Sequence, residues 1–521
     1  MQPGRSMPLA RPVAGQAVLP PTRTSPVALA AAPPASQEGF RQSWSGASSA
    51  GAGLTGACAC AVLCRSDRRG QKHGRTRRAA AQGEAPQVIV VGGGIGGLNL
   101  ALRLADMPWP QSGRRQPANI TLVDPKERYV FTPLLVDYAL NGEVELDEFA
   151  PSYKKLLEYA SEEGSARVPG TGFGCVKHLC GRVASVDWRR RIATMQCEDG
   201  EIQKMPFDAL AFAPGLLGSR TELDPEGFAM PFASLADAEA LRKRLREEPP
   251  RSVAVIGAGY TGVEVASTLA ERGGCSVALF GSKVLQAGEP ENQELTVQRL
   301  KDLGVAHKQG RVLSIDKAGV TWRPSSGEAE AKHESDLVVL TGTLAVPPVD
   351  CAAPGLEGAG PGGRIKVDQF MRAAPGLFCI GDAAEGAPAT GQAALQQAEV
   401  AAWNIFAQCT TLPRALWKRY TQSTMGEFVT LGSESAAAVV DVPKLAGLLP
   451  ATLPPALALG GVPLQKALAD GGVSRKTALG GRSAALLRRL SYLYRLPTLG
   501  HRKFVAQEWA ARAREGAPLP S

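Results

Sequence analysis

The chain has 521 residues, 44% of them hydrophobic, and a formal net charge of +9, a length ample for two or three domains around a large core. Residues 1–84 carry eleven Lys/Arg against three acids (+8) and residues 482–521 eight against two (+6), which leaves the body between them at −5. The basic surplus thus sits at the two ends, no basic face is visible on the body, and nucleic-acid binding is excluded.

Residues 1–84 are rich in Ala, Pro, Ser, Gly and Arg, the composition of an organelle transit peptide; a disordered arm is the plainer alternative. The cluster Arg65 to Arg78 and Ala79-Ala80-Ala81 point to processing nearby, and Pro and Ser content favours plastid over mitochondrion. The apolar run Ala59 to Leu63 is too short to span a bilayer. Cysteines are scattered, three of them (Cys58, Cys60 and Cys64) in this leader, and the body has no C-x-x-C pair, so no metal site is expected.

The chain is organised around Val88-Ile89-Val90-Val91, a buried parallel strand by composition, running into G-x-G-x-x-G at Gly92, Gly94 and Gly97. The glycines permit a tight turn, close approach of backbone to a pyrophosphate, and close packing of the helix expected from Leu98 to Leu104. A second strand, Asn119 to Asp124, ends in a carboxylate placed for a ribose hydroxyl. The apolar loop Glu127 to Leu135, which includes Pro133, lies just beyond, either beside a cofactor ring or as an ordinary buried crossover. Cys175-x-x-x-x-Cys180 has the spacing of a redox dithiol but falls about eighty residues past the glycine loop, in a stretch that reads as strand, and is not expected to be redox-active. Val183 to Asp187 and Arg191 to Gln196 form an expected hairpin, and Phe207 to Phe212 an apolar strand closed by Pro214-Gly215.

A second strand and loop follow 165 residues after the first, Val253 to Ile256 and then Gly257, Gly259 and Gly262, with a helix expected over Val263 to Glu271. Two such loops imply two nucleotides, one per domain. The second ribose position, after Cys275 to Phe280, has Ser282 and Lys283 instead of a carboxylate, which favours or tolerates the 2′-phosphate of NADPH. After the strand Asp336 to Leu340 comes Gly376 to Ala383, which places Asp382 at a strand end, where it binds flavin ribityl hydroxyls or merely caps a helix.

The order loop, loop, Gly-Asp resembles flavoproteins with two dinucleotide-binding domains. Within these, Phe131-Thr132-Pro133-Leu134-Leu135, Glu264 after the second loop, and Gln392-Ala393-Ala394-Leu395-Gln396-Gln397-Ala398-Glu399 are most similar to type II NAD(P)H:quinone oxidoreductases. The tail, with Tyr492-Leu493-Tyr494-Arg495-Leu496-Pro497 and His501-Arg502, resembles the plastid C-type branch, associated with plastoglobules and thylakoids and with prenylquinones such as demethylphylloquinone. The resemblance implies an α/β chain of two Rossmann-like domains with a C-terminal membrane-associating region. Its expected divisions are a leader over 1–84, FAD-binding parts over 85–248 and 348–430 (the latter with a quinone site), an NAD(P)H-binding domain over 249–347, and a tail over 431–521. FAD is then held by Gly92, Gly94, Gly97, Asp124, Pro133 and Asp382, and NADPH or NADH by Gly257, Gly259, Gly262, Ser282 and Lys283. Glu264 lies at the junction of nicotinamide and flavin, as a proton relay or a nucleotide contact, while Gln392 and Gln396 line the quinone pocket. The family pattern has Ala where Gly391 stands, and more often Glu than Asp at 124. The calcium-binding loop of one branch is missing. A homodimer stays open.

A tailed quinone requires access to lipid. Leu445 to Gln465 is uncharged over 21 residues but broken by Pro450, Pro454, Pro455 and Pro463, so a loop is expected there, and 441–481 reads as an unassigned insertion. Ala484 to Arg495 reads as an interfacial helix, with Leu486, Leu487, Leu490, Leu493 and Tyr494 on one face and Arg488, Arg489 and Arg495 on the other, followed by Trp509 on a second segment. Deletion from Arg482 onward is then expected to release the chain from lipid and leave FAD in place. Two other readings stay open: a related flavoenzyme with a non-quinone acceptor, and an NAD(P)H-binding redox sensor.

Overall fold

The computed structural model describes residues 85–514 except 111–115, 143, 164–170, 173, 219–221, 343, 348–349, 352–362, 387, 425 and, apart from two two-residue strands, 442–475. The expected leader lies outside the described residues, as does the uncharged run at Leu445 apart from Ala458–Leu459 and Val462–Pro463, which pair antiparallel. β1 (Gln87–Val91), β2 (Asn119–Asp124), β3 (Cys175–Asp187) and β6 (Ala209–Phe212) form a parallel core, and β4 (Ile192–Cys197) and β5 (Ile202–Pro206) fold back antiparallel from β3. Much later in the chain, β13 (Arg372–Ala374) and β14 (Leu377–Cys379) complete this sheet, in the order β13-β14-β6-β1-β2-β3-β4-β5. The order reverses at β1, between β6 and β2, where an open α/β sheet leaves a crevice at its carboxyl ends.

The second sheet repeats the plan. β7 (Ser252–Ile256), β8 (Ser276–Gly281), the first part of β9 (Ala306–Asp316) and β12 (Leu337–Leu340) run parallel, and β10 (Gly319–Pro324) and β11 (Ala331–Glu334) turn back from β9. The switch point is β7, between β12 and β8. Strands β1, β6, β7 and β12 are buried along nearly their whole length, as the continuous Val/Ile/Leu/Ala runs require of a sheet covered on both faces.

Both glycine-loop helices begin about one turn earlier than the sequence pattern indicates. α1 spans Ile95–Ala105 and α4 spans Tyr260–Arg272, so the third glycine of each loop lies inside the first turn. The cysteine pair is extended: Cys175 and Cys180 stand opposite Asn119 and Asp124 on β3, about 16 Å apart at ordinary strand rise. A disulfide needs Cα atoms within about 7 Å, and burial pushes the Cys180 thiol up to about 11. The pair is therefore not a redox dithiol.

The C-terminal segment departs furthest from its sequence reading. β15 (Gly426–Thr430), β16 (Ala436–Asp441) and β17 (Lys476–Gly480) form an antiparallel sheet, so the unassigned insertion begins and ends in paired strands. α7 (Gly481–Arg495) turns Arg488 to the core rather than to solvent. Arg488 is 0% exposed and its guanidinium meets the equally buried Asp137 at 2.6 Å, while Leu486 and Tyr494 are 43% and 51% exposed. The buried side of the helix is Ala484, Ala485, Leu487, Arg488 and Tyr492. α8 (Leu499–Arg514) likewise turns Trp509 inward, where its indole donates to Glu148 at 3.0 Å and Arg512 pairs with the same carboxylate at 2.5 Å. Trp509 is therefore a core residue rather than an interfacial one. Removing either arginine would leave a buried carboxylate uncompensated, at a cost of about 3–5 kcal/mol. A chain cut at Arg482 loses both, so an intact FAD fold is no longer the expectation for that truncation.

Candidate active site

At the first loop Gly92 has φ +97°, and a Cβ there would stand 2.3 Å from the Ala213 carbonyl oxygen; at Gly97 it would stand 1.8 Å from the Gly92 oxygen. The second loop reproduces this, with Gly257 at φ +111° and a Gly262 Cβ 1.7 Å from the Gly257 oxygen. The middle glycines differ in kind. A Cβ at Gly94 or Gly259 would meet nothing within 4 Å, so each faces open space immediately before a helix. Neither α1 nor α4 has a side-chain cap, leaving first-turn amides and the positive dipole end for a phosphate.

The groups beyond each loop diverge. Asp124, 4% exposed, accepts from the Gly93 amide at 2.6 Å and the Lys126 amide at 2.9 Å, which fixes its carboxylate against the first loop. Tyr153, on α2 (Tyr153–Glu163), donates its hydroxyl to the Gly93 carbonyl at 2.9 Å. No sequence pattern marked that contact, because it spans sixty residues. At the second loop, the Leu285 amide donates to the Ala258 carbonyl at 2.9 Å and folds the turn after β8 across the glycines. Ser282 and Lys283 lie exposed on that turn, with the Ser282 hydroxyl 3.4 Å from Gln286 and the His307 imidazole 3.3 Å from the Gly281 carbonyl.

Pro133 sits half-buried in a single 3-10 turn, Thr132–Leu134, and the ring of the preceding Phe131 meets Tyr492 of α7 edge-on at 5.6 Å. Asp382 sits in a second 3-10 turn, Gly381–Ala383. It does not cap α6 (Gly391–Cys409), whose cap is Thr390, accepting from the Ala393 amide at 3.2 Å. The Asp382 carboxyl is half-buried, raised above its ordinary range by desolvation and opposed by Arg364, and no hydrogen-bond donor reaches it among the described residues. A half-buried acid without a donor, in a turn that shares Ala394 as a neighbour with Gly96 of the first loop, fits a dinucleotide carrying polyol hydroxyls.

Glu264 accepts the Thr430 amide of β15 at 3.0 Å. Its carboxyl is pushed up to about 7, mainly by desolvation and against the pull of nearby Arg488. It is thus poised between donor and acceptor near neutrality. Gln392 and Gln396 do converge, as their spacing requires, but on a protein group: their amides donate to the Ser423 carbonyl at 3.1 and 2.5 Å, and Gln396 accepts from the Ser423 amide. The two glutamines fasten the extended segment after α6 across this end of the helix.

Among solved structures, the chain is similar to NDH2 of Plasmodium falciparum in complex with NADH, at TM-score 0.64 and 16% identity over 84% of this chain and all of that one. Demethylphylloquinone reductase NdbB of Synechocystis is 28% identical over 82% of this chain and 96% of its own length. The alternative NAD(P)H-ubiquinone oxidoreductase C1, chloroplastic/mitochondrial, of Arabidopsis thaliana is 29% identical over 82% of this chain and 81% of its own. Residues 86–398, which contain both glycine loops and the Gly-Asp turn, match the pyridine nucleotide-disulphide oxidoreductase family, and the chain belongs to it.

Proposed function

We propose that the chain is a FAD-dependent NAD(P)H:quinone oxidoreductase of the type II kind. The single observation that carries the reading is the pair of equivalent glycine cradles at two topological switch points, with a donorless acid, Asp382, in the first sheet's crevice. FAD, when bound, accepts a hydride from the nicotinamide and passes two electrons onward. In this reading Gly92, Gly94 and Gly97 admit its pyrophosphate, Asp124 its ribose and Asp382 its ribityl chain, with Pro133 shaping the wall near the ring. Gly257, Gly259 and Gly262 hold the nicotinamide nucleotide, and Ser282 and Lys283 admit a 2′-phosphate. Glu264, with a pKa near 7, releases or takes a proton as the acceptor becomes a quinol. Gln392 and Gln396 set the wall of the acceptor pocket through Ser423.

The relatives' names support a prenylquinone as the acceptor and a chloroplast, with the mitochondrion as the alternative, as the location; within the plastid we place the chain at a plastoglobule or thylakoid surface. No helix among the described residues is long and apolar enough to cross a membrane. Lipid contact falls instead to the outer side of the C-terminal helices, where Leu486, Tyr494 and Leu499 are 43%, 51% and 49% exposed. Triple substitution of these three by Ser leaves the buried arginines in place and is expected to abolish flotation with lipid vesicles while retaining bound flavin. Undiminished flotation would remove the lipid assignment.

The decisive assay is oxidation of NADPH and NADH by yellow, purified protein lacking residues 1–84, with and without a prenylquinone in detergent. Quinone-dependent oxidation supports the reading. Flavin reduction without acceptor turnover would favour a sensor, and turnover only with a non-quinone acceptor would favour a related flavoenzyme.

A further inference from the structure

The glutamine next to the pocket pair has a different partner. Gln392 and Gln396 point to Ser423, but Gln397, one residue and about 100° further around α6, is 0% exposed and turns to the flavin-side turn. Its Oε1 accepts the Gly381 amide at 2.6 Å. That amide lies just beyond the last sheet bond of this edge, Ile380 to the Phe212 carbonyl at 2.9 Å, and is buried without a strand partner. Gly381 has φ +71°, and its carbonyl accepts from the Ala384 amide at 3.0 Å. Both backbone groups of the residue before Asp382 are therefore held, one by a side chain sixteen positions away.

The placement is costly. The Gln397 Nε2 faces the Tyr420 hydroxyl, a contact that falls short of a well-formed hydrogen bond. A leucine would fill this site without desolvating an amide, so the acceptor oxygen is what the position selects. We propose that Gln397 is a positioning residue of the flavin site: by holding the Gly381 amide it fixes the left-handed turn that aims the Asp382 carboxylate at the ribityl hydroxyls. The inference rests on the FAD assignment above and adds a residue to it.

The test uses purified holoprotein, from which FAD is stripped and titrated back by fluorescence. Gln397→Leu, which removes the acceptor, and Gln397→Asn, which retracts it by one methylene, are expected to raise the FAD dissociation constant about tenfold or more. Gln397→Glu keeps an oxygen in place and is expected to restore affinity to within about threefold. In an Asp382→Ala background, Gln397→Asn is expected to add no further loss, because the aimed group is already gone. Penalties that multiply in the double variant, or wild-type affinity in both Leu and Asn variants, would overturn the proposal. Wild-type protein that takes up no FAD at all would instead overturn the underlying assignment, before any variant is made.

Discussion

The two glycine loops are nearly the same object built twice, and they differ in what waits at each end. Both have a positive-φ first glycine, an open middle glycine and a third whose Cβ would strike the first glycine's carbonyl oxygen. Past the turn, the first loop meets the buried carboxylate Asp124, and the second meets exposed Ser282 and Lys283. Two residues into each helix beyond the third glycine, the first has Asn99, which donates back to the Ile95 carbonyl at 2.8 Å, and the second has Glu264, which reaches across to β15. Backbone geometry thus sets that a pyrophosphate can bind. In the proposed reading, the side chains at these two positions divide a tightly held cofactor from an exchangeable one, and a passive helix from one carrying a titratable group.

The largest effects should come from closing each loop separately. Gly97→Ala should weaken FAD binding about a hundredfold, the equivalent of roughly 3 kcal/mol of overpacking, and yield protein colourless at 450 nm. Gly262→Ala should stay yellow but slow reduction of the flavin by NAD(P)H about a hundredfold in stopped-flow absorbance. If both variants lose flavin equally, the loops do not serve different nucleotides. Next, Ser282→Asp places at the second loop the charge that the first has, and the ratio of kcat/KM for NADPH over NADH should fall about tenfold or more. An unchanged ratio would move the 2′-phosphate contact elsewhere.

The smallest effect is a matter of pH. Burial raises Glu264 to about 7, so its proton is present below neutrality and lost as pH rises through that value. Turnover with a quinone should therefore fall between about pH 6 and 8 if the protonated form donates. Glu264→Gln, which keeps an acceptor for the Thr430 amide, should flatten that profile with a severalfold lower plateau. A profile with the same inflection in the variant would make Glu264 a structural tie alone. The same burial makes folding stability fall as pH rises from the unfolded value near 4.5 to about 7, since only the native state keeps the proton over that window.

Strand, loop, helix and ribose acid were legible because each is a local commitment. A Val-Ile-Val-Val run must be buried, and a glycine with φ near +100° tolerates almost no other residue. The same local reading missed Tyr153 and Gln397, whose partners lie sixty and sixteen positions away. It also put Leu487 on the lipid face and Arg488 on a solvated one, whereas both are buried. Period 3.6 sorts Leu486 to Arg495 into arcs, but it does not say which arc meets the core. Asp137, some 350 residues upstream, decides that by taking Arg488 as its buried partner.

The sequence by itself therefore determined the two nucleotide cradles, their order along the chain and the family, because backbone sterics and continuous burial are written in consecutive residues. Only the tertiary structure decided which side of α7 faces outward, what Gln392 and Gln396 grip, and which side chain holds the Gly381 amide. Those outcomes depend on buried charges and amides finding partners across long loops, and the cost of leaving such a group unpaired exceeds what any local amphipathic preference supplies.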